Sequence, residues 1–216
     1  MMKELNKRIL SSIFIIPIVL FFIIKGSIAF LFFLSFIFLF TCYEWIKMNK
    51  NNELIRIFGI FFLLFSFTTA YIIREKYNLN FIIIIIIVCV FTDIGGYVFG
   101  KFFKGPKLTK ISPKKTYTGV IGGFLLSMIA GLVYIKYLLN REVLNIDYFW
   151  TILLILFISF ISQIGDLIIS YFKRKAKLKD SGRIIPGHGG VLDRIDGLIF
   201  VFPTIYILNL VLYFLT

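Results

Sequence analysis

Four aspartates stand in or beside strongly apolar stretches: Asp93 in TDIGGYVFG, Asp166 in QIGD, and Asp193 with Asp196 in LDRID. A carboxylate at membrane depth costs about 3 kcal/mol, so each needs a partner or a chemical task. For any one of them the plain alternative is an ion pair with a nearby Lys or Arg, and the glycines Gly95, Gly96 and Gly100 around Asp93 also suggest close helix packing. Four together ask for more. If Asp193 to Asp196 opens the last helix, the i, i+3 spacing puts both carboxylates on one face, and Asp166 at the end of the preceding helix supplies a third. Hard carboxylate oxygens with a single His and no nearby Cys favour Mg²⁺ or Mn²⁺ over zinc, and Mg²⁺ usually arrives with substrate phosphates. The donor set therefore implies a phosphorylated substrate.

Between these carboxylates runs SYFKRKAKLKDSGRIIPGHGGVLDRID, Ser170 to Asp196. It interleaves Lys173, Arg174, Lys175, Lys177, Lys179, Arg183 and Arg194 with Gly182, Gly187, Gly189 and Gly190. Glycines let a backbone approach phosphate and turn its amides inward. A solvated basic loop accounts for KRKAKLK, but poorly for PGHGG running straight into paired aspartates. His188, the only histidine, is read as a phosphate or base contact in preference to a proton carrier. In a second loop, SPKKTYTG, Lys114 and Lys115 can offset a polyphosphate's charge or merely set topology. The chain has no Walker loop of the form GxxxxGK(S/T). It also has no aromatic-interleaved basic module, so nucleic acid is not an expected partner.

The elements that must position these residues follow from composition. Of 216 residues 59% are hydrophobic and only 16% charged, against roughly 25% charged in soluble domains. Seven apolar runs are legible: Ile9 to Ile24, Ser27 to Trp45, Ile57 to Ile73, Leu79 to Phe99, Tyr117 to Leu139, Tyr148 to Ile169 and Gly197 to Leu215. Each is expected to be a helix, giving an all-α polytopic membrane protein with about seven spans. Ile82 to Ile87 favours a strand by propensity, but a lone strand in lipid leaves its backbone unpaired. Lys3, Lys7 and Arg8 resemble the start of a signal peptide, yet no small-residue cleavage site follows, so an uncleaved first span and a tight hairpin at Lys25 and Gly26 are expected. With the N-terminus inside, 19 of the 24 lysines and arginines fall on inner segments, as the positive-inside rule requires, and the C-terminus lies outside. The net charge of +13 thus belongs mainly to one face, where it also attracts anionic headgroups. Cys42 and Cys89 read as buried small hydrophobes. GxxxG spacings at Gly96 with Gly100 and Gly119 with Gly123 serve packing within one chain or between two copies, which leaves a homodimer open.

At QIGDLIISYFKRKAKLKDSGRIIPGHGGVLDRID, and again at TDIGGYVFGKFFKG and SPKKTYTG, the sequence resembles the phosphatidate cytidylyltransferases, or CDP-diacylglycerol synthases. The resemblance covers roughly the C-terminal three-fifths of the chain. It divides the molecule into N-terminal scaffold helices, residues 1–80, and a catalytic region, residues 81–216. What it implies is transfer of CMP from CTP to phosphatidic acid at the inner face of the cytoplasmic membrane, with a divalent metal required. By position, Asp166, Asp193 and Asp196 would hold that metal, with Asp93 as a fourth candidate. Lys173, Arg174, Lys179 and Arg194 would grip phosphates. Ser170, Asp180, Ser181, Gly187, His188, Gly189 and Gly190 would shape the nucleotide pocket, and Ser112, Lys114 and Lys115 would hold the triphosphate. Two positions depart from the family pattern: Thr118 stands where an acidic residue is common, and Gly197 where serine is frequent. The competing readings are a CTP-dependent lipid kinase or other lipid nucleotidyltransferase and, from a different class, an ion-coupled transporter using Asp93 and Asp166.

Overall fold

Backbone amides and carbonyls inside lipid find no water, so an apolar run must satisfy them within itself. The computed structural model, which describes residues 2–109, 112, 115–138, 148–185, 187 and 189–215, meets that requirement with helices. They are α1 Met2–Lys25, α2 Ser27–Met48, α3 Glu53–Lys76, α4 Leu79–Phe103, α5 Tyr117–Leu138, α6 Tyr148–Lys175, the short α7 Leu192–Ile195 and α8 Leu198–Leu215. Among the described residues the only β-type pairings are two isolated bridges, Lys107 with Thr116 and Ile185 with Gly189. The isoleucine run Ile82 to Ile87 lies inside α4.

Helices α2 to α6 contain stretches long and apolar enough to cross a membrane, while α1 and α8 contribute the shorter apolar segments Ile13–Lys25 and Leu198–Leu212. The protein is a multi-pass membrane protein, with seven apolar helices among the described residues. Helices α1, α3 and α6 extend past their apolar runs, to Met2, Glu53 and Lys175. Hydrophobicity marks the lipid-embedded stretch, whereas the intrahelical hydrogen bonds continue into polar overhangs until something caps them. At α3 the cap is Asn52, whose side chain accepts from the Ile55 amide at 3.0 Å.

Lipid tails are as apolar as leucine, so close fit rather than water exclusion must hold such helices together. Between α4 and α5 the fit is made by glycine. A Cβ on Gly119 would lie 2.7 Å from the Gly96 carbonyl oxygen, and one on Gly123 would lie 3.0 Å from that of Thr92. A Cβ on Gly95 would collide with the Gly122 carbonyl. Both GxxxG pairs are therefore used inside this chain. Ile73, Ile85, Val88, Ile155, Ile158, Val201 and Ile205 from α3, α4, α6 and α8 form the main core. A second cluster joins Trp45 of α2, Leu63 of α3, Ile169 of α6, Leu192 of α7 and Ile199 of α8. Large apolar side chains such as Phe32, Phe36, Phe58 and Phe61 face outward, as a lipid-facing surface requires. Cys42 and Cys89 are buried free thiols.

The expected hairpin turns at Gly26, whose φ of +63° suits glycine. Its exposed helix ends are closed from α3: Arg74 donates to the carbonyls of Ile23 and Ile24, and Glu75 accepts from the Ser27 amide at 2.8 Å.

Candidate active site

On α6 the residues Ser159, Ser162, Asp166, Ser170 and Lys173 recur at intervals of three or four, so they form one polar stripe on an otherwise apolar helix. Glycine lets the start of α8 approach that stripe. A Cβ on Gly165 would lie 2.8 Å from the Asp196 carbonyl oxygen, and one on Gly197 would collide with the Ser162 hydroxyl. This close crossing brings Asp196 beside Asp166. Asp196 is 7% exposed, and its carboxylate accepts from the Gly197 amide at 3.0 Å. Burial, then the charges of Asp166 and of Asp93 on α4, push its carboxyl well above the usual range; Lys173 and Lys115 pull the other way. Asp93 is exposed on α4 and lies within electrostatic reach of Arg194.

The loop from α4 to α5 folds back to deliver its lysine. Leu108 donates to the Lys115 carbonyl at 2.8 Å and Tyr117 to that of Pro106 at 3.1 Å. Lys115 then reaches Asp166, with Nζ 2.5 Å from Oδ2. Ser170, one turn along α6, lies 3.2 Å from the other carboxylate oxygen and donates to it. Thr116 caps α5 by accepting from the Gly119 amide at 3.1 Å. Thr118 bonds Thr116 through their hydroxyls at 3.0 Å and accepts from the Gly105 amide at 3.3 Å. At Thr118 this chain uses a hydroxyl to close its own loop.

The second loop, between α6 and α7, is tied at both ends by carboxylates. Asp193 forms a buried ion pair with Lys173 at 2.8 Å, the two side chains being 6% and 10% exposed. Its other oxygen accepts from the amides of Ser181 at 2.8 Å and Gly190 at 3.0 Å. Burial opposes ionisation of Asp193, but Lys173 and these two amides outweigh it and hold the carboxyl below its usual range. Between the tied ends, Ile185 and Gly189 exchange backbone hydrogen bonds, with Gly187 and Gly189 at φ of +77° and +89°. That tight turn requires its glycines.

Asp193 and Asp196, expected to share one cation, have different partners in this structure. Asp193 lies in α7 and Asp196 caps it, but Asp193 is committed to Lys173 and the loop amides. Lys173, expected to grip phosphate, is the cation of that buried pair. Arg174 donates to the Leu178 carbonyl at 2.8 Å, while Lys179, Asp180 and Arg194 are exposed. Ser112 accepts through its carbonyl from the Lys115 amide at 3.0 Å and so shapes the loop that presents Lys115. Lys114 and His188 lie outside the described residues. One buried residue escaped the sequence reading: Glu44 of α2, 1% exposed, accepts from the Ser181 hydroxyl and from the Val191 and Leu192 amides at 2.8, 3.0 and 2.9 Å. Its signal was available, since it is an acid inside the run Ser27 to Trp45.

Asp196, Asp166 and Asp93 offer hard carboxylate oxygens, the donor type that Mg²⁺ or Mn²⁺ takes. Burial and the like charges of its neighbours disfavour ionisation of Asp196, which a nearby cation would relieve. Among the described residues no three acids, histidines or cysteines form a ready-made metal shell, so substrate phosphates would have to complete it.

Apolar helices long enough to cross a membrane, with Asp166, Asp196, Lys115 and a carboxylate-tied glycine loop gathered at the α6–α8 junction, define a membrane protein with a polar site at that junction. The chain belongs to the cytidylyltransferase family, whose model matches residues 53–212, and it is a membrane-embedded nucleotidyltransferase. It is similar to the phosphatidate cytidylyltransferase of Rickettsia typhi, 36% identical over 176 residues that cover 78% of this chain and 76% of the relative. That of Rickettsia felis is 33% identical over 218 residues, covering 96% and 93%. That of Bacillus subtilis is 40% identical over 135 residues, covering 62% of this chain but 49% of the relative. The chain thus matches about half the length of the Bacillus protein and nearly all of the Rickettsia felis one.

Proposed function

We propose that this protein transfers the cytidylyl group of CTP to phosphatidic acid, giving CDP-diacylglycerol and pyrophosphate for phospholipid synthesis. A phosphate oxygen of phosphatidate forms a bond to the α-phosphorus of CTP as the bond from that phosphorus to the pyrophosphate oxygen breaks. The nucleophile is the substrate's own anion, so no side chain has to be activated by a base. The protein's tasks are in-line positioning and stabilisation of the charge that builds on the phosphoryl oxygens. Lys115, carried on its own loop, offsets triphosphate charge. Asp166, held by Lys115 and Ser170, would join Asp196 and Asp93 in holding Mg²⁺ or Mn²⁺, which would neutralise phosphate charge and favour departure of pyrophosphate. Asp193 orients Lys173 and closes the glycine loop, and the exposed Lys179 and Arg194 attract the nucleotide.

The carrying observation is the junction of α6 and α8, where Asp166 and Asp196 meet beside Lys115 at one end of the bundle. The same end carries the two most basic loops. This supports a site on the cytoplasmic side of a cell's inner membrane, where CTP and lipid phosphate meet. The test is product analysis with purified protein, phosphatidate, Mg²⁺ and CTP labelled at the α or the γ phosphate. Label from the α position should enter lipid, and chelation should stop it. Entry of γ label would establish a kinase instead, and phosphatidate-independent flux with no nucleotide consumed would favour the transporter.

A further inference from the structure

Glu44 belongs to a helix outside the stretches where the phosphate-handling residues cluster, yet it reaches into the signature loop. Its carboxylate is 1% exposed, and among the described residues no cation is paired with it. A buried anion persists only where donors replace water, and here they all come from one segment more than a hundred positions away. One oxygen accepts from the Val191 amide; the other accepts from the Leu192 amide and the Ser181 hydroxyl. Ser181 begins the glycine loop, and Val191 with Leu192 ends it. Asp193 binds the same two ends through the amides of Ser181 and Gly190. The space for Glu44 is made by glycine: a Cβ on Gly182 or Gly190 would collide with its carboxylate oxygens.

We propose that Glu44 is a positioning residue that holds the two ends of the glycine loop together, and so sets the affinity for CTP without touching it. This rests on the cytidylyltransferase reading above. The loop between the tied ends carries Arg183 and the turn glycines Gly187 and Gly189, whereas Lys115 and Asp166 lie on elements that make no hydrogen bond to Glu44, and Asp196 caps the far end of the short α7 whose first amide Glu44 holds. Releasing the loop therefore weakens the nucleotide's grip and leaves the lipid substrate's requirement alone. A purely structural staple would lower active protein or turnover without favouring one substrate.

The experiment compares full-length wild type, Glu44→Gln, Glu44→Asp and Ser181→Ala in detergent. It measures KM for CTP, KM for phosphatidate, kcat, and the rise in melting temperature with added CTP and Mg²⁺. Gln keeps the shape and one acceptor oxygen, and Ser181 can reverse to accept from its amide, but one loop amide then loses its partner. The CTP KM should rise about 10-fold, as expected for one charge-assisted hydrogen bond, with a smaller change in kcat. The phosphatidate KM should stay within about two-fold of wild type. The shorter Glu44→Asp should show a larger rise, and Ser181→Ala a rise of about three- to ten-fold, since its lost bond also involves a charge. A CTP KM and a CTP-induced melting shift equal to wild type in both Glu44→Gln and Ser181→Ala would overturn the proposal. Equal loss toward both substrates would overturn it too, leaving Glu44 a staple. Wild-type protein that neither binds CTP nor forms CDP-diacylglycerol would instead sink the underlying reading.

Discussion

Replacing Asp193 with asparagine tests whether the loop is held by an ion pair or merely decorated by one. The Lys173 ammonium lies 2.8 Å from Asp193, and the two side chains are 10% and 6% exposed. At an effective dielectric near 20 the gross attraction is about 6 kcal/mol, most of which is offset by desolvating both ions. Breaking such a pair from one side strands the other charge, and typically costs about 3–5 kcal/mol. Asp193→Asn also turns an amide group toward Lys173 or the Ser181 and Gly190 amides, none of which can accept. Lys173→Met should cost less, because Asp193 retains those two amide donors. The double variant should be less damaged than the sum of the singles by about 2 kcal/mol or more, since it leaves no orphaned charge. Denaturant unfolding in detergent micelles measures all four proteins. Effects that add to within about 0.5 kcal/mol would show the pair uncoupled and refute the reasoning.

The same pair sets a pH dependence. The Asp193 carboxyl is held below its usual range, so its contribution is fully present above the unfolded-state value of about 3.9. It is lost as pH falls through the folded value. Wild type should lose that stability only below about pH 4, and the acid limb should flatten in Asp193→Asn.

Asp196→Asn and Asp166→Asn should each lower turnover by about 100-fold or more at matched folded protein, through loss of charge stabilisation at the phosphates, and raising Mg²⁺ should not restore it; retained activity in both would displace the proposed cation site. Lys115→Ala should raise the CTP KM about 10-fold or more by removing the cation that faces Asp166, as substrate titrations at fixed phosphatidate would show. Gly197→Ala should push α8 off Ser162 and cost about 1–3 kcal/mol of stability, together with turnover, because the shift separates Asp196 from Asp166; unfolding and rate measurements on one preparation check both effects.

What the sequence made legible and what it hid divide along the range of the interactions. The seven apolar runs read directly as helices because each satisfies its own backbone, and α4 overrode the strand preference of Ile82 to Ile87 for the same reason. Asp93, Asp166 and Asp196 stood out because an acid within an apolar run is costly wherever it occurs. Glu44 met that criterion too, but its flanks Tyr43 and Trp45 form no motif and its donors lie 137 to 148 positions away. The division into scaffold and catalytic regions gave it no reason to be a site residue. The roles of Asp193 and Lys173 were hidden differently, since LDRID fixes the spacing of two carboxylates but not where each one turns. That depends on which donors the preceding loop offers. A loop whose backbone amides face inward consumes one aspartate in holding its own shape, while the other sits at the glycine crossing of α6 and α8 beside Asp166.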